Sequence, residues 1–225
     1  MNTLTLQNKN ERRTASGAAL RLAATNYVGF TEGTATYPRE LKPNLGGLIY
    51  CVLGLGNETG ELAEVFEAAE LGDNRQAQYA RGWKELGDCQ WYAARICAEL
   101  PGIMSFPMMV TAAEERYYAL QHNEREIITG LDLSMRLSKH QGLVLGVVKK
   151  MLRDGDAWTP EKAAEKMTEL ETSLRNFIAD SFYFAERTGP VVGINGGYVS
   201  LLRGNVDKLQ GRVERGTLHG DGDVR

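Results

Sequence analysis

Apolar residues return at three- and four-residue intervals along most of this chain, and nowhere does strict alternation run far enough to predict a strand. Ala19, Leu20, Leu22, Ala23 and Tyr27 predict a first helix over 15–28. The stretch 29–43, broken by Gly33, Pro38 and Pro43, reads as irregular. Helical patterns resume over 48–71, which Gly72-Asp73-Asn74 should end, and over 75–100, which Pro101-Gly102 should stop. Further helices are expected near 108–128, 133–153, 160–188 and 197–214. Thr159-Pro160-Glu161 is a strong helix start: a capping hydroxyl, a proline where no N–H is needed, and an acid in the first turn. Residues 1–14 read as a loose, disordered arm and 216–225 as a Gly/Asp-rich tail. The expected class is all-α.

The pattern also echoes itself. NETGELAEVFEAAELGD (57–73) lies over KHQGLVLGVVKKMLRDG (139–155), with Gly60 on Gly142 and Leu62, Val65 and Phe66 on Val144, Val147 and Val148. DCQWYAAR (88–95) lies over DSFYFAER (180–187), with Asp88 on Asp180. A degenerate tandem repeat of one helical unit accounts for this. Two amphipathic helices alike by chance are the plain alternative. A repeat would divide the chain into a first unit over 15–128 and a second over 129–215, packed as a pseudo-dimer. The second copy has exchanged Glu58, Glu61 and Glu85 for His140, Leu143 and Phe177.

Composition narrows the picture further. A hydrophobic fraction of 43% and a charged fraction of 24% are those of an ordinary globular protein. A net charge of −3 argues against coating nucleic acid. Three cysteines with no CxxC pair suit a reducing, cytoplasmic setting. No apolar run reaches the length of a membrane span, and no apolar stretch follows the polar first residues as a secretory signal requires.

The candidate chemistry lies in two short acidic pairs, Glu58-Thr59-Gly60-Glu61 and Glu85-Leu86-Gly87-Asp88. Residues three apart share a helix face, so each pair aims two carboxylates one way. Residues 62–84 are enough to finish one helix, turn and return, which would converge all four acids. Such a group repels itself, and a hard divalent cation relieves the repulsion; all-oxygen ligation suits Mg²⁺, with Mn²⁺ as a substitute. Glu64 lies one turn beyond Glu61, within reach of the same group. A lone ExxE is usually solvated surface charge. Here both pairs sit among apolar residues, Leu62, Val65 and Phe66 around the first and Leu86, Trp91 and Tyr92 around the second. Glycines at 60 and 87 each cost a helix about 1 kcal/mol relative to alanine, a penalty best accepted where another backbone or a ligand comes close.

GLGNETGELAEVFE followed by KELGDCQWYAARICAEL resembles the MazG-type all-α nucleoside triphosphate pyrophosphohydrolases, whose ExxE…ExxD pattern falls on Glu58, Glu61, Glu85 and Asp88. TATYP (34–38) is similar to the approach segment of phage and bacterial members, and NVDKLQGRVERGTLHGDGD (205–223) to the family's last helix and tail. The resemblance covers about 20–100 and 198–225; the first motif reads NETGE where GEAGE or GEVGE is usual, and the middle is longer than the usual connection. It implies a MazG-like bundle, and hydrolysis of an NTP or dNTP to the monophosphate and pyrophosphate with Mg²⁺. It further implies that Glu61 orients or deprotonates the water, and that Asn205, Lys208 and Arg212, on one face of the last helix, meet the phosphates. A solvated helix surface is the bland account of those three. Lys84, beside Glu85, is a further phosphate candidate. Trp83 and Tyr37 are candidates to touch a base, whereas Trp91, Tyr92, Tyr183 and Phe184 read as core. None of the histidines, His122, His140 and His219, follows a Glu by three residues, so the ExxH of di-iron bundles is absent. Relatives acting on dUTP or phosphoribosyl-ATP, and a metal- or nucleotide-binding helical protein without turnover, remain alternatives. A homodimer or a monomeric pseudo-dimer would each satisfy the packing such helices need.

Overall fold

The computed structural model describes residues 3–37, 45–72, 74–120, 129–189, 193 and 195–218. Seven α-helices make up its regular structure, joined by one short 3₁₀ turn, Gly155–Ala157, and the described residues include no strand. They are α1 (Thr3–Gly33), α2 (Gly46–Glu70), α3 (Arg75–Glu99), α4 (Phe106–Leu120), α5 (Gly130–Asp154), α6 (Pro160–Thr188) and α7 (Gly197–Glu214). The all-α expectation holds, and no helix among the described residues is long and apolar enough to cross a membrane.

The boundaries follow local chemistry. Gly72 ends α2 at a φ of 99°, a left-handed conformation that suits glycine. Asn74 caps α3 by accepting from the Ala77 N–H. Thr129 and Asp132 form a reciprocal capping box on α5, and Thr159 accepts from the Lys162 N–H with Pro160 at the first position of α6. α1 departs from expectation at both ends. Helix begins at Thr3, not after a disordered arm over 1–14, because an apolar-period test misses a helical segment that is mostly polar. It also runs on through Gly29 to Gly33, since Thr31 and Thr34 are buried and Thr34 accepts from the Trp91 indole on α3 at 2.9 Å. The expected irregular stretch therefore starts later, and 38–44 lies outside the described residues. α4 ends at Leu120, and the rest of its expected range, 121–128, is also outside them.

α2 and α3 form an antiparallel hairpin. Glu99 crosses Gly47, the Tyr92 ring lies on Gly54, and the Phe66 ring lies on Gly82, a register held by glycines that let side chains rest on the opposing backbone. α5 and α6 pair in the same way through the short 3₁₀ turn, and α2 packs on α5 to join the two hairpins. The remaining helices cross over: α4 packs chiefly on α6, and α7 packs most on α3. α1 lies against α3, α4 and α7. One continuous core runs through both hairpins, including Leu55 and Phe66 of α2, Leu86 and Ile96 of α3, Leu137 and Val144 of α5, and Leu174 and Phe184 of α6, all buried. Each such side chain contributes on the order of 2 kcal/mol by leaving water.

Candidate metal centre

The hairpin register decides where the acids meet. With Gly54 opposite Tyr92 and Phe66 opposite Gly82, Glu58 and Glu61 come level with Asp88 and Glu85. Carboxylate oxygens of Glu58, Glu61 and Glu85 all lie within 4.8 Å of one another, each side chain half-buried. Glu58 bears the consequence: burial, reinforced by the charges of Asp88, Glu61 and Glu85, pushes its carboxyl up to about 8, and Lys208 only partly offsets this. Three carboxylates at that spacing, one of them forced toward its protonated form, are a donor set suited to a hard cation. Asn57, one turn before Glu61, donates to Glu61 Oε1 at 2.9 Å.

Asp88 is held differently. Asn205 Nδ2 donates to its Oδ1 at 2.6 Å, and the Lys208 ammonium bonds its Oδ2 at 2.5 Å. Both partners come from α7, which approaches closely because residue 87 is glycine: a Cβ there would stand 3.1 Å from the Asn205 Cβ. Asn205 is itself buried, and its Oδ1 accepts from the Tyr27 hydroxyl of α1 at 2.7 Å. Burial pushes the Tyr27 phenol upward, so it stays a donor. Among the described residues, Gly60 has no neighbour within 4 Å of its would-be Cβ, so close packing there does not explain that glycine.

The structure thus brings Glu58, Glu61 and Glu85 together and sets Asp88 beside Glu58 with Asn205 and Lys208 upon it. Arg212 is half-buried one turn beyond Lys208, and its carbonyl closes α7 by accepting from the Thr217 N–H. Lys84 is exposed, and as the immediate neighbour of Glu85 it points roughly 100° around α3 from it. Glu64 is exposed and outside the group.

Two aromatic expectations change. Trp83 is buried in the core, with no face for a base. Tyr37 is also buried, its hydroxyl donating to Glu99 at 2.5 Å and accepting from Arg95 at 3.0 Å. Trp91 and Phe184 are core, as expected, whereas Tyr92 and Tyr183 are half-buried at the edge of it. Sequence reasoning missed Tyr27 and Asn57. Asn57 carried a signal, standing four residues before Glu61 on the same face; Tyr27 is far from its partners in the chain and carried none.

The second hairpin joins the aligned positions as well. His140 and Asp180, the positions laid over Glu58 and Asp88 in the sequence, are buried, with His140 Nε2 3.2 Å from Asp180 Oδ2. Among the described residues, His140 Nδ1 has no hydrogen-bond partner. Phe177, at the position of Glu85, is core, and Leu143, at that of Glu61, is 52% exposed.

No family model, curated protein or solved structure matches this chain.

Proposed function

We propose that this chain is a Mg²⁺-dependent nucleoside triphosphate pyrophosphohydrolase of the MazG kind, cleaving an NTP or dNTP to the monophosphate and pyrophosphate. The observation that carries the reading is the convergence of Glu58, Glu61 and Glu85 within 4.8 Å across the α2–α3 hairpin. The likeness of the NETGE and ELGD motifs to that family supports it. Glu58, Glu61, Glu85 and Asp88 would hold the cation. Bound there, Mg²⁺ would neutralise triphosphate oxygens and ease deprotonation of a water.

The chain's own residues supply the rest. Glu61, oriented by Asn57, accepts the proton as a water oxygen adds to the α-phosphorus and the bond to the bridging oxygen of the β-phosphate breaks. Lys208 already bears on Asp88, and in this reading it follows charge onto the departing pyrophosphate, with Arg212 further along α7. Asn205, its amide engaged by Asp88 and Tyr27, lies on the same helix. The crossed packing, α4 on α6 and α7 on α3, is the pattern a tandem duplication with exchanged third helices would leave, which favours a chain that supplies its own pseudo-dimer interface.

The test is a product-resolved assay with Mg²⁺ against the common NTPs and dNTPs and dUTP. Monophosphate with pyrophosphate, abolished by EDTA and reduced about a thousand-fold or more in Glu61→Gln, is the expected result. Diphosphate with phosphate, or no turnover with Mg²⁺ or Mn²⁺, would defeat the proposal.

A further inference from the structure

Asp88 is reached by α7, a helix outside its own hairpin. Its Oδ1 accepts from the Asn205 amide and its Oδ2 from Lys208, both on α7. An asparagine amide is two-faced, with a donor nitrogen and an acceptor oxygen of nearly the same shape. Only the nitrogen can face a carboxylate at 2.6 Å, so the oxygen must point the other way, into the protein. There it meets Tyr27, 2% exposed, whose hydroxyl donates to Asn205 Oδ1 at 2.7 Å and lies 3.3 Å from the Gly87 carbonyl. A phenol has one proton to give, and the shorter contact takes it. The same hydroxyl therefore touches the helix that bears Asp88 and the helix that orients it.

We infer that Tyr27 is a positioning residue for the acidic centre: by donating to Asn205 it fixes the amide with its nitrogen toward Asp88, and so holds that carboxylate in register with Glu58. This rests on the reading of the four acids as a cation site. The Tyr27 hydroxyl bears on Asn205 Oδ1 and the Gly87 carbonyl, so its hydrogen bonding reaches Asp88 through the amide. With phenylalanine at 27, the buried Asn205 oxygen loses the Tyr27 hydroxyl, and the amide is held from one side, by its bond to Asp88. Groups that act behind metal ligands in this way commonly alter affinity without altering the ligand set.

The experiment uses the full chain and Mn²⁺ alone as the probe, followed by electron paramagnetic resonance. Tyr27→Phe is expected to weaken Mn²⁺ binding about ten-fold while melting cooperatively. Asn205→Ala is expected to weaken it too, and the double variant should bind no more weakly than Asn205→Ala, because Tyr27 acts only through that amide. Equal affinity in Tyr27→Phe and wild type, or losses that simply add in the double variant, would overturn the inference while leaving the cation site intact. A wild-type chain that binds no Mn²⁺ would bring down the site and the inference together. A measurement on the wild type covers a Tyr27→Phe that does not fold. The Asn205 side-chain amide protons should be slow to exchange and should shift on adding Mg²⁺; rapid exchange would count against a fixed amide.

Discussion

Glu58 lies where burial and then three other carboxylates raise its affinity for a proton, and the effect has a direction that can be tested. Its folded value of about 8 stands above the ordinary 4.5. Between those values the unfolded chain has released the proton and the folded chain keeps it, so stability without metal falls as pH rises from about 4.5 to about 8. Glu58→Gln removes that slope. In EDTA at about pH 8 the variant should melt roughly 5 °C above wild type, and the advantage should vanish below about pH 4. Mg²⁺ should reverse the order, since only the carboxylate gains from the ion. Calorimetry across the pH range, with and without Mg²⁺, reads all three outcomes. A wild-type Tm that rose steadily with pH in EDTA would contradict burial and carboxylate repulsion as the origin of the shift.

At the scale of the helix, α3 carries half of the acids and is fastened along its length. Tyr27 reaches the Gly87 carbonyl, Thr34 takes the Trp91 indole proton, and the buried Arg95 guanidinium binds Glu32, Glu99 and Tyr37. Arg95 is 2% exposed and Glu99 16%, so removing the cation strands a carboxylate in poor solvent. Arg95→Ala is expected to lower unfolding free energy by about 3 kcal/mol in a urea titration. It should also slacken the hairpin on which the acids depend, and a change under about 1 kcal/mol would mean that the network is surface decoration.

This scale also explains what the sequence made readable. Helix spans came through because a buried stripe imposes its own period, and the glutamate pairs because residues three apart must share a face. The mostly polar start of α1 has no stripe to detect. Trp83 could not be told from a ligand platform, since an aromatic side chain looks the same in sequence whether it faces a core or a cleft. The engagement of Asn205 and Lys208 by Asp88 depends on α7 reaching α3, a long-range fact that no local pattern encodes.

For the whole molecule, the crossed helices make the halves interdependent. α2 packs on α5, α4 on α6 and α7 on α3, so each half completes the other. Cutting the chain at a protease site introduced within 121–128 should therefore leave two pieces that co-elute in size-exclusion chromatography and keep the native circular dichroism. Pieces that separate at micromolar concentration would show that the connection, and not the interface, holds the halves together.

The reach of α7 across to α3 has a further effect on the growing polypeptide. A ribosome releases the two acidic motifs long before it reaches α7, and until then Asp88 lacks both Asn205 and Lys208. The hairpin can form during synthesis, but its acidic centre stays unfinished until α7 emerges and docks. A nascent or prematurely stopped chain would then carry both acidic motifs without the α7 contacts that hold Asp88.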